Sequence, residues 1–413
     1  MSRKAVAILL VLVGFTISCG SSREGVRITV TQSTTLPAAS GVVLFSATDG
    51  PLQAFASELN GNVIWQYNFD NYSDRYEPLP VQLMPSGHML MVESRTDGIG
   101  LCSTCATNNL IREFDLAGNM IWQLTNAQLQ DELNQAGYNV TLAQMSHDAA
   151  VLPNGHIVVL ISDLKNVTGL TGQSGTTRLE GAALVDLDAN HQPVWVWDAF
   201  DHLDVNRHPY FALPDWIHGN AVVYSPDDGN LIFSSRSQSW VIKIDYRDGT
   251  GTGDVIWRLG YQGDFTLTNG GPADWFYGQH APIFLSSNST GVFNLGLFDN
   301  GNSRVLDGSG AMCGTTGEPA CYSTVPIYQI DEVNHTATLL WRDTLPFFSP
   351  AVGNMQVLDN GDVWLNAGFV DGSSHAIIRE VTMEPTPQTV LQMDVDEPVY
   401  RAVHLPSLLP AAP

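Results

Sequence analysis

A short apolar strand that ends at or near tryptophan recurs along the chain, each time after a polar turn. The copies lie at 60–65, 118–122, 193–195, 254–257 and 338–341, with a degenerate sixth at 388–391. The segment before each copy ends in an acidic turn, as at 184–188, so each pair of segments indicates a hairpin. A second type of hairpin, with a turn such as Pro-x-Gly, lies between them at 83–91, 151–159 and 357–364. Two hairpins make a four-stranded unit, and about six units fit the chain.

The number and length of the units indicate how they close into one fold. Trp65 and Trp122 are 57 positions apart and Trp257 and Trp341 are 84 apart, which exceeds the ~40–45 residues of a WD40 blade and leaves room for long loops. The sequence therefore predicts an all-β fold, a six-bladed β-propeller of four-stranded blades with a central channel, as one domain over 42–413. A large aromatic side chain at a fixed repeat phase is typical of core packing rather than of a cofactor platform. One short insertion, 126–133, has a helical pattern.

The N-terminus has the pattern of a targeting segment. Arg3 and Lys4 precede an apolar run over 5–17, and Cys19 follows with small residues behind it. This pattern is typical of a bacterial lipoprotein signal, so we expect a signal peptide over 1–19, a flexible tether over 20–41 and a lipid on Cys19. Plain cleavage is the alternative, because Thr16 stands where such signals usually carry Leu. No other stretch is long enough to span a bilayer, and we expect an exported, periplasmic protein that meets the membrane only through this anchor.

Export makes disulfides available to the remaining four cysteines. Cys313 and Cys321 bracket a Gly- and Pro-containing loop and are predicted to form a disulfide. Cys102 and Cys105 could form a second bridge, a redox pair or half of a zinc site. The disulfide is favoured there, because the chain has no second Cys-x-x-Cys motif and no histidine close by in sequence.

The net charge restricts the partners. The chain carries 42 acidic and 18 basic residues, a formal charge of −24, which excludes nucleic acid as a partner because its phosphates would be repelled. An anionic small molecule would need basic groups concentrated at its site. A basic residue on the inner face of a repeat is therefore informative.

Three histidines share one phase of the repeat, just ahead of an apolar run: His147, His218 and His280. In a repeat fold the same phase means the same spatial layer, so we expect the imidazoles to converge on one axis. Arg236 lies 18 positions after His218, at the end of the strand that should pair with the one His218 leads. An arginine beside imidazoles makes a pocket for a sulfate or phosphate group, since its planar fork holds two oxygens. The alternative is an Arg236 that pairs with an acidic residue of a neighbouring loop.

A metal site is the rival interpretation of the three imidazoles. They could hold zinc with an open position, and Asp148 could be a fourth ligand. Arg236 argues against this, because a guanidinium is repelled by a divalent cation unless an anion bridges them. We therefore expect no metal and no cofactor.

Several other residues carry weaker signals. Tyr210, Trp216 and Tyr277, with Phe211, could clamp an aromatic substrate, although ordinary packing explains them equally well. A polar insertion that could line the channel mouth carries His202 and His208, whereas two other histidines follow Pro-x-Gly turns and are predicted to be turn or surface groups: His88 and His156. His335 and His404 give no signal.

The ordered blocks 215–220, 234–244, 256–260, 279–281 and 297–304, with 146–148 and 153–156 upstream, resemble the bacterial arylsulfate sulfotransferases over roughly 140–370. The resemblance implies a propeller that moves a sulfuryl group from an aryl sulfate donor to a phenolic acceptor, without a nucleotide donor such as PAPS, by a ping-pong mechanism. It implies that His280 is transiently sulfurylated, and that His147, His218 and Arg236 hold the sulfuryl oxygens and manage protons. One member of the family carries a substantial N-terminal β-rich domain, whereas only a short segment lies here between Cys19 and the first repeat strand near Val42, so dimerisation through that domain is not carried over. That relative also has a disulfide upstream of the nucleophile, whereas Cys313 and Cys321 lie downstream, so that bridge is not carried over either. The oligomeric state stays open.

Two further classes of function remain open. One is a quinone-dependent propeller dehydrogenase with a calcium site, which the tryptophan repeat superficially suggests. The other is an exported propeller that binds a ligand without catalysis.

Overall fold

A computed structural model describes residues 25–48, 54–67, 76–95 and 109–409 of the chain. The described residues form six sheets that share a core of four antiparallel strands, arranged as the blades of a six-bladed β-propeller. The predicted fold class is confirmed. The signal segment, Cys19, and both Cys102 and Cys105 lie outside the described residues, so the predictions on them stay predictions.

The first three blades follow one another along the chain from the inner strand outward. The first blade consists, in sheet order, of β26 (Val399–Leu405), β2 (Val42–Ala47), β3 (Ala54–Glu58) and β4 (Val63–Tyr67). The second consists of β5 (Tyr76–Leu83), β6 (Met89–Arg95), β7 (Leu110–Phe114) and β8 (Met120–Thr125). The third consists of β9 (Leu142–Val151), β10 (Ile157–Thr168), β11 (Thr176–Leu187) and β12 (Pro193–Asp198). The C-terminal strand β26 is the inner strand of the first blade, and this pairing with β2 closes the ring.

The other three blades have the same order, and two of them carry an extra outer strand. The fourth blade consists of β13 (Gly219–Ser225), β14 (Asn230–Ser235), β15 (Trp240–Ile244) and β16 (Val255–Leu259). The fifth consists of β18 (His280–Phe284), β19 (Val292–Phe298), β20 (Thr324–Asp331), β21 (Thr336–Thr344) and the added β17 (Thr266–Leu267). The sixth consists of β22 (Asn354–Val357), β23 (Val363–Ala367), β24 (Ala376–Val381), β25 (Thr389–Val395) and the added β1 (Ile28–Gln32).

Apolar clusters fill the spaces between neighbouring blades of the described structure. The cluster between the third and fourth blades, for example, packs Leu160 and Leu184 against Phe233 and Ile242. The repeated tryptophans lie on the outer strands, and some of them bond to the next blade. The indole N–H of Trp65 donates to the carbonyl of Leu116 at 2.9 Å, and that of Trp341 to the carbonyl of Glu384 at 2.8 Å. The prediction that these rings serve packing is therefore in accord with their contacts.

The sequence predicts a flexible tether over 20–41, but the described part of this segment contains a strand. Residues 28–32 form β1, which pairs antiparallel with β25 at the outer edge of the sixth blade. Val26, Ile28 and Val30 alternate along this segment and pack against the cluster between the sixth and first blades. A period of two is the pattern of a half-buried strand, and it explains why this segment adds to the sheet.

Two local predictions concern an insertion and a loop. The helical insertion is α1 (Asn126–Ala136), which starts at a capping box of Thr125 and Gln128 and ends at Gly137 in the left-handed region. A second short helix, α2 (Ala199–His202), follows β12. Cys313 and Cys321 form the predicted disulfide. None of the helices in the described ranges is both long and apolar enough to cross a membrane.

Candidate active site

The three histidines of the shared repeat phase lie on the inner strands of three consecutive blades. His147 is within β9, His218 directly precedes β13 and His280 is the first residue of β18. The rings of His147 and His218 are 4.8 Å apart between centroids. The charges of Arg236, His218 and His147 all act on His280. The structure thus brings together the four residues that the sequence singled out.

Irregular backbone at the same point of each inner strand aims these side chains. The pairing of β9, β13 and β18 with the next strand shifts register beside each histidine. His147 and His218 have φ of 65° and 46°, and Ala281, directly after His280, has φ of 47°. Non-glycine residues rarely adopt this region, and β-bulges re-aim side chains at functional sites. Three bulges at matched positions are the expected device for turning imidazoles toward one point.

His280 is held by an asparagine whose orientation is fixed. Oδ1 of Asn300 lies 2.6 Å from Nδ1 of His280. The amide nitrogen of Asn300 donates to the carbonyls of Ser349 at 2.7 Å and Val352 at 2.9 Å, so the side chain cannot turn its nitrogen toward the ring without losing both bonds. An amide oxygen only accepts, and therefore Nδ1 of His280 carries the proton and Nε2 keeps its lone pair.

Burial keeps two of the imidazoles neutral. His280 is 3% exposed, and burial followed by the charge of Arg236 holds its pKa well below the usual value, against the opposing effect of the Asn300 hydrogen bond. Burial, with the charges of His218 and Arg236, likewise holds the pKa of His147 well below its usual range. A neutral His280 with a free Nε2 is a competent nucleophile near neutral pH.

His218 has a different kind of partner. Its Nδ1 donates to Oδ2 of Asp215 at 2.7 Å. Burial alone would raise the pKa of Asp215, but the charge of His218 and this hydrogen bond outweigh it and lower that pKa. Burial and the nearby Asp215 raise the pKa of Glu180, which lies behind this pair. A carboxylate that orients an imidazole and stabilises its protonated form is the usual arrangement for general acid–base work.

Arg236 lies beside these imidazoles, as the hairpin geometry predicts. Its backbone N–H donates to the carbonyl of His218 at 3.0 Å. The guanidinium lies 4.4 Å from the ring centre of Phe211 and donates through Nη2 to the carbonyl of Pro350 at 3.1 Å. Its Nε is buried and has no hydrogen-bond partner among the described residues. Burial lowers the pKa of Arg236, opposed by Asp215. Within the part of the chain that the structure describes, no ion pair fixes the guanidinium, and the buried N–H remains available to an anion.

Strand β26, which closes the ring, places polar side chains next to the histidines. The hydroxyl of Tyr400 donates to the carbonyl of His147 at 2.9 Å. Arg401 forms two hydrogen bonds of 3.1 Å with the carboxylate of Asp148, and Asp148 also accepts the backbone N–H of Val222 at 3.0 Å. Asp148 is therefore engaged in a buried ion pair and is not free to be the fourth metal ligand that the sequence allowed. Across the described ranges, no group of three or more His, Cys, Asp or Glu is placed to hold a metal ion.

The three predicted substrate-clamping rings are not on an open wall of the site. Trp216 and Tyr277 are fully buried and Tyr210 is 9% exposed. The indole N–H of Trp216 donates to the carbonyl of Arg207 at 3.1 Å, and the hydroxyl of Tyr277 donates to the backbone carbonyl of Pro272 at 2.8 Å. Trp216 and Tyr277 are therefore core residues whose polar groups have hydrogen-bond partners, in accord with ordinary packing, the alternative to a substrate clamp. The aromatic ring that the structure places beside Arg236 is Phe211.

The remaining histidines lie away from the cluster. Nδ1 of His88 contacts Glu113 at 2.5 Å, and Nδ1 of His156 contacts Asp186 at 3.0 Å, so each bonds to an acidic residue of its own blade after its hairpin turn. The ring of His202 stacks on Trp197. His335 lies on the turn between the outer strands β20 and β21 of the fifth blade, and His404 lies near the end of β26, the inner strand of the first blade.

Sequence reasoning missed four residues of the site. Asp215 and Asn300 stand inside the blocks that carry the family resemblance, three positions before His218 and 20 after His280. An acidic residue and an amide close to candidate histidines were a usable signal. Tyr400 and Arg401 gave none, because only the closure of the ring by β26 brings the C-terminus under the histidines.

Comparisons with solved structures return chains of low identity. The periplasmic gluconolactonase PpgL of Pseudomonas aeruginosa is 11% identical, with 89% of this chain and 99% of that chain covered and a TM-score of 0.46. The catalytic domain of the β-fructofuranosidase of Microbacterium saccharophilum K-1 is 10% identical, with 91% and 84% covered and a TM-score of 0.32. At these values the likeness carries no argument about activity.

Sequence comparison is more informative. No curated protein sequence shows a significant match to the chain. The sequence model of the family described as Arylsulfotransferase (ASST) matches residues 27–401, nearly the whole chain. This chain belongs to the arylsulfotransferase (ASST) family.

Proposed function

We propose that the protein is an arylsulfate sulfotransferase that moves a sulfuryl group from an aryl sulfate to a phenol through a sulfurylated His280. The observation that carries the proposal is the contact of His280 with Asn300, which leaves Nε2 unprotonated in a buried imidazole beside Arg236. Family membership supports a sulfotransferase with small-molecule substrates. The described arrangement supports the particular roles assigned below.

In the first half-reaction, Nε2 of His280 attacks sulfur of the aryl sulfate. The S–Nε2 bond forms, the bond between sulfur and the aryl oxygen breaks, and its electron pair leaves with the phenolate. We assign the protonation of that oxygen to His218, whose ring is oriented by the hydrogen bond from its Nδ1 to Asp215. A phenolate with a conjugate acid of pKa ~10 departs more readily when it is protonated as it leaves.

The second half-reaction runs the same steps with the acceptor. The phenol binds where the first phenol left, and His218 takes the hydroxyl proton as the oxygen attacks sulfur. The S–Nε2 bond breaks and its electrons return to His280. Since one site serves donor and acceptor in turn, ping-pong kinetics follow. The partner of His280 is a neutral amide, which stabilises the sulfurylated, cationic ring less than a carboxylate would and keeps the imidazole a good leaving group.

Arg236 stabilises the oxygens of the transferring group. Its buried Nε–H has no partner among the described residues, and Nη2 is anchored to the carbonyl of Pro350, so the fork is fixed in place. Donors that are fixed before the reaction stabilise developing charge without the cost of reorganisation. In a chain of net charge −24, this local cation offsets the repulsion that an anionic substrate meets.

The cellular location is part of the proposal. The segment before Cys19 supports export, and we propose that Cys19 is lipidated and tethers the propeller. Replacing Cys19 with Ala should release the protein from the membrane fraction while it is still exported. Retention of the Cys19→Ala protein in that fraction would contradict a lipid tether.

Purified protein with 4-nitrophenyl sulfate and phenol tests the function. Wild type should release 4-nitrophenol and form phenyl sulfate, and His280→Asn should do neither. His335→Asn is the matched control, because it makes the same substitution at an exposed histidine on an outer turn, away from the cluster. No transfer by wild type would favour a binding scaffold, and unchanged transfer by His280→Asn would remove His280 from its role.

A further inference from the structure

A cavity of about 590 Å³ opens beside the candidate active site. Its lining includes Phe211 and Pro214 from the loop before β13, Thr177 and Arg178 from β11, and His208. One contact and one chain connection join it to the site. The ring of Phe211 carries the guanidinium of Arg236 on its face, and Pro214 directly precedes Asp215. A molecule in this cavity therefore lies between the sulfuryl-binding groups and the outer part of β11.

The strand geometry gives the reach of the cavity. The backbone N–H of Glu180 donates to the carbonyl of Pro214 at 2.9 Å, and that of Trp216 donates to the carbonyl of Glu180 at 3.0 Å, so this part of β11 lies alongside the loop. Arg178 and Glu180 are two positions apart and share a face of the strand. At ~3.3 Å per residue, Arg178 lies about 7 Å farther from Asp215 than Glu180 does. That distance matches a benzene ring with its para substituent.

The charge of Arg178 is the second observation. Most buried arginines of this acidic chain are committed to carboxylates, as Arg304 is to Asp299 and Arg401 is to Asp148. Arg178 is exposed on the cavity rim and forms no ion pair with any residue in the described ranges. A chain with 42 acidic and 18 basic residues offers few such cations. An unpaired arginine at this place attracts an anion.

We infer that the cavity holds the ring of the aromatic substrate and that Arg178 binds an anionic substituent on the far side of that ring. The preferred substrates are then phenols that carry a carboxylate or a similar anionic group para to the hydroxyl. This inference rests on the proposed sulfuryl transfer. Phe211 contributes the apolar face against which the ring packs, and Arg236 holds the sulfuryl end.

The test compares two acceptors with 4-nitrophenyl sulfate as the fixed donor: 4-hydroxybenzoate, which carries the anion, and its neutral methyl ester. In a ping-pong reaction, kcat/KM for the acceptor reports the acceptor's own half-reaction. The quantity of interest is the ratio of kcat/KM for the two acceptors, compared between wild type and Arg178→Gln. Arg27→Gln is the matched control, because it removes the same charge from the outer edge of the sixth blade.

Arg178→Gln should lower the ratio of kcat/KM for the acid to kcat/KM for the ester about fivefold at low ionic strength, because an exposed charge pair contributes about 1 kcal/mol. The value of kcat/KM for the ester should stay unchanged. Added salt should lower the wild-type ratio in the same direction. Arg27→Gln should leave the ratio as in wild type. An unchanged ratio in Arg178→Gln, or an equal fall in Arg27→Gln, would overturn the inference while transfer itself persists. If wild type transfers to neither acceptor, the proposed function itself has failed.

Discussion

The amide oxygen of Asn300 lies 2.6 Å from Nδ1 of His280, and the same amide is locked by two backbone carbonyls. His218, on the neighbouring blade, instead bonds to the carboxylate of Asp215. Two imidazoles of one site thus have a neutral partner and an anionic one. The first arrangement suits a nucleophile and leaving group, and the second suits a group that holds and moves a proton.

Replacing Asn300 with Asp should exchange the neutral partner of His280 for a charged one. A carboxylate raises the pKa of the adjacent imidazole, so the acid limb of kcat/KM for the donor should move to higher pH. Misplacement of the ring should also lower kcat by up to about a hundredfold. The measurement is a pH–rate profile of 4-nitrophenol release. A loss of rate with the acid limb unmoved would mean that Asn300 has only a structural role.

Replacing Arg236 with Gln should remove the fixed fork from the sulfuryl oxygens. Loss of one such donor costs about 2.7–4 kcal/mol in the transition state, so kcat should fall by about 10²–10³-fold. The thermal midpoint should change little, because the guanidinium pairs with no carboxylate within 4.0 Å among the described residues. Arg27→Gln serves as the charge-matched control. Equal rates in the two variants would exclude Arg236 from stabilising the transition state.

The buried neutral histidines should make the fold sensitive to acid. The pKa values of His147 and His280 lie well below 6.5 in the folded protein, and near 6.5 when it is unfolded. Below about pH 6.5 the unfolded chain binds more protons, so the free energy of unfolding falls, by up to about 1.4 kcal/mol per pH unit for each histidine. This stabilising contribution is fully present above that pH.

Urea unfolding at about pH 7.5 and about pH 5.5 measures this effect. The loss of unfolding free energy between the two should be smaller in His280→Asn than in wild type, and His335→Asn should behave as wild type. An identical loss in wild type and His280→Asn would show that His280 is not a buried neutral group.

The ion pair under the site should matter for stability rather than chemistry. Arg401 and Asp148 are both buried, and removing one partner leaves an uncompensated charge. Asp148→Asn should therefore lower the free energy of unfolding by about 3–5 kcal/mol. Changing both residues together, as Asp148→Leu with Arg401→Met, should recover much of the loss. Equal stability of Asp148→Asn and wild type in urea unfolding would contradict this assignment.

Repeat phase made much of this architecture predictable. The tryptophans mark the outer strands, and the matched phase of His147, His218 and His280 brings them together because equivalent positions of a propeller share one layer. The position of Arg236 followed from a single hairpin register. Such predictions depend on local pairing, which the sequence pattern reports directly.

Other features depend on contacts between distant segments. Arg401 meets Asp148 across 253 positions because β26 closes the ring. Trp216 and Tyr277 are aromatic residues of the kind that clamp a substrate, yet the irregular segments before β13 and β18 turn them into the core. Sequence periodicity does not separate these two outcomes. The alternation of Val26, Ile28 and Val30 was a readable strand signal within the expected tether.

The most direct test of the central claim is to find where sulfur is bound during turnover. Protein incubated with 4-nitrophenyl sulfate without acceptor, then digested at alkaline pH and analysed by mass spectrometry, should carry one sulfuryl group on Nε2 of His280. The group should disappear when phenol is added. Turnover with no such adduct, or with the adduct on another residue, would contradict a sulfurylated His280.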